Sequence, residues 1–131
     1  MAIKAGKWEM TSSDNYGEYL KAIGVGMIQR NLAEKAVPTE ELTGGPDTWE
    51  LAISTALKNT KVAFTLGEPF DTTTEDGRTV SVMFTGDGDR LTETRKAEGD
   101  ATTQVREYGP DGMTATYSAK GVTATRVFKH L

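Results

Sequence analysis

Thr79-Val80-Ser81-Val82-Met83-Phe84-Thr85 alternates without a slip: Val80, Val82 and Phe84 fall on one side, Thr79, Ser81, Met83 and Thr85 on the other. Successive side chains of an extended chain point to opposite faces, so this period of two marks a strand with one buried face and one wet face. Upstream the pattern recurs. Leu51, Ile53, Thr55 and Leu57 oppose Glu50, Ala52, Ser54 and Ala56, and Thr60, Val62, Phe64 and Leu66 oppose Asn59, Lys61, Ala63 and Thr65. Nearer the start, Gly6, Trp8 and Met10 oppose Lys7, Glu9 and Thr11.

Turn chemistry separates these segments: Gly44-Gly45-Pro46-Asp47, Gly67-Glu68-Pro69, Glu75-Asp76-Gly77, Gly86-Asp87-Gly88-Asp89, Glu98-Gly99-Asp100, Gly109-Pro110-Asp111-Gly112 and Lys120-Gly121. Breaks roughly 8–12 residues apart are the signature of an antiparallel meander. The abundant threonine suits a pleated, half-solvated surface. A sheet with one apolar face must be covered or must curl onto itself, and the helices here are too few to cover it. The expected fold is therefore all-β, a closed or nearly closed barrel.

The exception is residues 13–36. Asn15 followed by Glu18 reads as a capping box, and Gly24 stands where a helix is terminated by a left-handed glycine. Between them Tyr16, Tyr19, Leu20 and Ile23 follow helical spacing. Ile28, Leu32 and Ala33, with Arg30, Glu34 and Lys35, predict a second helix that Pro38 ends. The pair, about residues 15–36, is short enough to plug one end of a barrel and no more.

The 131 residues make room for one domain, 1–131. Fifteen Lys and Arg against 19 Asp and Glu leave 15 − 19 = −4, which argues against a nucleic-acid binder. With no Cys and His130 as the single histidine, neither a disulfide framework, a Cys-ligated zinc site nor a histidine metal cluster can form. No cofactor is expected. No apolar run reaches the length of a membrane span, and Met1 to Lys7 carries no apolar core of a secretion signal. The expectation is a soluble, cytoplasmic, monomeric domain.

The late strands break the alternation in an informative way. Val122, Ala124, Arg126 and Phe128 share a face, as do Thr102, Gln104, Arg106 and Tyr108, and Leu91 shares its side with Glu93 and Arg95. One arginine at a strand end usually lays its stem on apolar surface and its head in water. Two or three on the inner faces of neighbouring strands need water or an anion, because guanidinium cannot escape burial by losing its proton. A barrel with a cavity, wet near the arginines and oily elsewhere, meets that need. A carboxylate or phosphate fits the planar fork best.

Weaker signals have plainer readings. Gly86-Asp87-Gly88-Asp89 reads as a hairpin turn rather than a calcium loop. Glu40-Glu41 reads as a solvated strand face rather than an acid–base pair, and Ser12-Ser13-Asp14 as helix-entry chemistry rather than a nucleophile. Lys21, Arg30 and Lys35 read as solvated, with contact to an anionic membrane as the competing role. No nucleophile–base pair points to an enzyme.

Gly6-x-Trp8, Asn15-Tyr16-x-x-Tyr19-x-Lys21-Ala22-x-Gly24-Val25-Gly26, Lys58-Asn59-Thr60, Leu66-Gly67-Glu68-x-Phe70-Asp71, Asp76-Gly77-Arg78-x-Val80 and Gly121-Val122-x-x-Thr125-Arg126-Val127 resemble the cytoplasmic fatty-acid-binding proteins of the intracellular lipid-binding family. The likeness runs over essentially the whole chain, and its second half is most similar to the heart/adipocyte-like branch, with an invertebrate member in view. The resemblance implies a ten-stranded antiparallel up-and-down β-barrel of two orthogonal sheets, capped by a helix-turn-helix. It also implies reversible, non-catalytic binding of one long-chain fatty acid or similar carboxylated lipid. In that branch two arginines and a tyrosine hold the carboxylate. Arg106 and Arg126 match the arginine positions, while Phe128 stands at the tyrosine position, so that hydroxyl is missing. Tyr16, Leu20, Val25, Ala33, Pro38, Ile53, Thr55, Asp76, Arg78, Ala115 and Tyr117 match wall positions, and Leu57 stands at a portal position where many relatives carry Phe. Arg95 and Glu93 are unexpected on the wall and are expected to hold water or to pair with each other. Two other readings share the architecture: a retinoid carrier, and a membrane- or protein-docking module acting through the helical cap.

Overall fold

The computed structural model describes residues 3–56, 58–73, 79–97 and 100–131. Its elements are β1 (Gly6–Asp14), α1 (Tyr16–Ala22), α2 (Met27–Lys35), β2 (Thr39–Gly44), β3 (Thr48–Ser54), β4 (Asn59–Thr65), β5 (Phe70–Thr73), β6 (Thr79–Asp87), β7 (Arg90–Ala97), β8 (Asp100–Tyr108), β9 (Gly112–Ala119) and β10 (Val122–His130). Every ladder is antiparallel, and the ten strands form one continuous sheet in the order β4-β3-β2-β1-β10-β9-β8-β7-β6-β5. Chain neighbours pair along the meander except β4 and β5, and β1 joins β10. The marked turns at 44–47, 67–69, 86–89, 109–112 and 120–121 fall at the junctions between strands, and residues 75–77 and 98–99 of the other two lie outside the described residues. Lys120 and Gly121, both at positive φ (49° and 79°), make the tight β9–β10 hairpin.

The order ends at β4 and β5, and the β4 edge meets the far end of the sheet at β6. Phe64 of β4 stacks on Phe84 of β6 with ring centres 3.8 Å apart, and Gly67 N–H donates to the Phe84 carbonyl at 2.7 Å. The sheet thus curls into a barrel whose last seam is aromatic packing rather than a ladder. Trp8, Leu42, Phe84, Leu91, Tyr108, Met113 and Phe128 are among the buried residues of its core.

The inward faces of β6, β8 and β10 follow the alternation: Val80, Val82, Phe84, Arg106, Tyr108, Ala124, Arg126 and Phe128 are all buried. Other expectations need correction. The strand expected over 50–57 ends at Ser54, and Leu57 lies outside the described residues. The capping box does not form. Asn15 takes a left-handed conformation (φ 62°), and its side-chain amide donates to the Thr123 carbonyl at 3.0 Å, tying the helix entry to β10. The apolar stripe of α2 is largely unburied, because Met27, Ile28 and Leu32 are exposed and only Ala33 of the stripe turns inward far enough to be half-buried. Arg30, expected to be solvated, donates to the Val25 carbonyl at 2.8 Å and braces the turn between the helices. Glu40 is buried, not solvated, since it shares its strand face with Leu42. A bulge at Thr11 shifts the β1–β10 register between Met10 and Ser12. It brings Ser13 opposite Arg126, so this serine meets the site instead of starting a helix.

Candidate functional site

Arg106 on β8 and Arg126 on β10 both pair in register with Ala115 of β9. Adjacent strands are about 4.8 Å apart, so the two arginine backbones stand at one level of the wall, about 10 Å from each other. Ala115 is fully buried between them, and its methyl group leaves room for two long side chains.

Their partners differ. Arg106, 1% exposed, donates from Nε to Glu40 Oε1 at 2.8 Å and from Nη2 to Glu40 Oε2 at 3.5 Å. Its Nη1 reaches Glu93 Oε1 at 3.5 Å, and Nη2 also reaches Gln104 Oε1 at 3.5 Å. Glu93 is held on its other oxygen by Arg95 Nε at 2.6 Å, the pairing expected of these two. Burial works against the Arg106 charge, but Glu40 and Glu93 outweigh it and raise the pKa well above the ordinary arginine value. Arg126, 4% exposed, has no carboxylate partner among the described residues. Its Nε donates to Ser13 Oγ at 3.1 Å, its Nη2 to the Ala33 carbonyl at 3.5 Å, and its guanidinium lies over the Tyr16 ring.

These groups surround a cavity of about 450 Å³, a size that takes a small lipid. Tyr16, Pro38, Ile53, Arg95, Tyr117, Arg106 and Arg126 line it, with Glu40, Glu93, Gln104, Leu51, Val62, Phe70 and Val82. A second hollow of about 410 Å³ lies under the helices, walled by Leu20, Val25, Leu32, Ala33 and Thr55. Tyr16, Pro38, Ile53, Lys58 and Arg126 border both. Arg126 therefore stands where the helical mouth opens into the barrel.

The four buried ionic side chains, Glu40, Glu93, Arg106 and Arg126, cancel as 2 − 2 = 0, and half-buried Arg95 adds one positive charge. Burial raises the pKa of Tyr16 against the opposing pull of Arg126, and burial also raises Tyr117. Both stay neutral near pH 7 and serve as polar walls. Among the described residues no cluster of three or more acidic or histidine side chains could hold a metal ion, and no helix is long and apolar enough to cross a membrane.

Residues 5–130 match the family model described as "Lipocalin / cytosolic fatty-acid binding protein family". The chain belongs to that family. It is 37% identical over 127 residues to sodium/calcium exchanger regulatory protein 1 of Doryteuthis pealeii, covering 97% of this chain and 96% of the relative. It is likewise 37% identical over 125 residues to a fatty acid-binding protein of Tyrophagus putrescentiae, covering 95% of each. The solved structure of a Schistosoma mansoni fatty acid binding protein in complex with arachidonic acid superposes with a TM-score of 0.89 at 31% identity, over 96% of this chain and 94% of that one. As a member of the lipocalin / cytosolic fatty-acid binding protein family, the protein is a lipid-binding carrier and not an enzyme.

Within this family member, eleven of the sequence-derived positions are brought to the two hollows: seven to the inner cavity and Leu20, Val25, Ala33 and Thr55 to the mouth. Ala115 and Phe128 are buried in the wall and core and line neither hollow. Leu57, Asp76 and Arg78 lie outside the described residues. Sequence reasoning missed Glu40 and Ser13. The first was legible, because Glu40 alternates in phase with Leu42. The second was not, because the Thr11 bulge that sets Ser13 opposite Arg126 leaves no mark in the pattern.

Proposed function

We propose that the protein carries one long-chain fatty acid at a time in the cytoplasm, as a single-domain monomer, with the carboxylate received at Arg126 and the tail in the cavity. One observation carries this reading: a buried guanidinium, without an acidic partner among the described residues, at the junction of the two hollows. An unpaired buried charge is costly, and a ligand carboxylate would complete it with charge-assisted hydrogen bonds. Arg106 supports the arrangement from the inner side, held in place by Glu40 and Glu93. The relatives named for fatty acids support the ligand class.

The tail supplies most of the free energy. Each methylene removed from water contributes about 0.8 kcal/mol, so a sixteen-carbon chain supplies on the order of 12 kcal/mol gross. Immobilisation and imperfect desolvation subtract several kcal/mol, leaving about micromolar to nanomolar affinity. The guanidinium then chooses the head group and its direction. The exposed Met27, Ile28 and Leu32 of α2, with exposed Lys21 on α1, support transient contact of the cap with an anionic membrane during delivery. Calorimetry with oleate and oleyl alcohol tests the central claim. Arg126→Ala should weaken oleate and spare the alcohol, and equal losses for both would remove the head-group role. Retinoic acid displacing oleate at equal concentration would favour the retinoid reading.

A further inference from the structure

The Glu40–Arg106 pair spans the barrel interior: β2 and β8 are separated in the sheet by β1, β10 and β9. Both carboxylate oxygens of Glu40 are used, one on Nε and one on Nη2, the side-on fork in which a guanidinium receives any carboxylate. Glu40 is 3% exposed, and Glu93 adds a second acidic oxygen to the same guanidinium. Arg126 stands at the same level of the wall, with a hydroxyl, a carbonyl and a ring face for partners. One of two equivalent guanidinium groups is thus already occupied from within the chain.

We propose that Glu40 is a specificity-determining residue that acts as a resident carboxylate: it fills Arg106 and restricts the cavity to lipids whose head group carries a single negative charge. This rests on the carrier reading above. Were both guanidinium groups open, a doubly charged head group such as a phosphate monoester could span them and gain from each. With Glu40 in place, a second ligand charge finds Arg106 neutralised and meets the Glu40 and Glu93 carboxylates instead. Like charges in a poorly solvated space repel, so the second charge brings no gain. The ligand class is a monoanionic lipid.

The test compares oleate, oleyl phosphate above its second pKa, and oleyl alcohol as ligands of the native protein, and adds Glu40→Gln and Arg126→Gln variants. The native protein should bind oleyl phosphate no more tightly than oleate. A preference for the phosphate of about tenfold or more, the worth of one further charged hydrogen bond, would overturn the proposal without any variant having to fold. Arg126→Gln should bind oleate weakly, and Glu40→Gln with Arg126→Gln should recover about tenfold, because the Nε–Nη2 edge of Arg106 then carries no carboxylate. Equal oleate affinity for the single and double variants, both shown folded by circular dichroism, would also overturn it. Oleate bound by the native protein with either of these negative results leaves the carrier reading intact and removes only the role of Glu40. No binding of any of the three ligands removes both.

Discussion

The guanidinium carbon of Arg126 lies 3.5 Å from the centre of the Tyr16 ring. Tyr16 is the first residue of α1, and Arg126 belongs to β10, so this contact joins the helical cap to the barrel wall at the proposed ligand site. The ring is itself part of an aromatic cluster, 5.1 Å from Tyr117 and 5.8 Å from Tyr19 between centres. A cation held against a ring face in a desolvated place is stabilised by about 2 kcal/mol. The cap is thus fastened to the charge that the ligand is proposed to meet.

Replacing Tyr16 by Leu should weaken oleate binding by about 1–2 kcal/mol, because Arg126 loses the ring face that orients it. Tyr16→Phe keeps the face and should stay close to the native affinity. Calorimetric titration of both variants checks the pair, and equal losses would assign the effect to the hydroxyl.

Arg106→Met should destabilise the fold by about 3–5 kcal/mol, since Glu40 and Glu93 are left buried without their shared cation. Adding Glu40→Leu should restore a large part of that loss, because Glu93 keeps Arg95 and no unpaired charge remains at residue 40. Urea unfolding of native, single and double variants measures both steps.

Alkaline conditions should unfold the protein steeply. Burial raises the pKa of Tyr16, Tyr19, Tyr108 and Tyr117 above the ordinary tyrosine value, and these are all four tyrosines of the chain. The unfolded chain ionises near pH 10 while the folded one holds its protons, so stability is complete below about pH 10 and falls as pH climbs toward the folded values. Tyrosinate absorbance should rise together with loss of circular dichroism, in one step.

Phe64→Ala should cost about 3–5 kcal/mol, as for other buried aromatic truncations. The stacked pair Phe64–Phe84 joins strands that no ladder connects, so the seam opens where the Gly67–Phe84 backbone bond stands in place of a ladder. Hydrogen exchange should show β4 and β5 losing protection before β9 and β10.

Alternation and turn chemistry determined the class of fold, because a period of two over successive strands leaves a single solution: one apolar face closed upon itself. Arg106 and Arg126 were legible as interior from strand phase, Arg126 standing between Ala124 and Phe128 and Arg106 sharing its face with Gln104 and Tyr108. The role of each was not legible. Which guanidinium is occupied depends on Glu40, four strands away around the sheet from β8 and 66 residues away in sequence. Ser13 reaches Arg126 through one extra residue at Thr11, across a separation of 113 residues. Local pattern decides which way a side chain points, since that depends on strand phase alone. What it meets on the far side of a barrel depends on curvature, bulges and register, and those exist only once the sheet has closed.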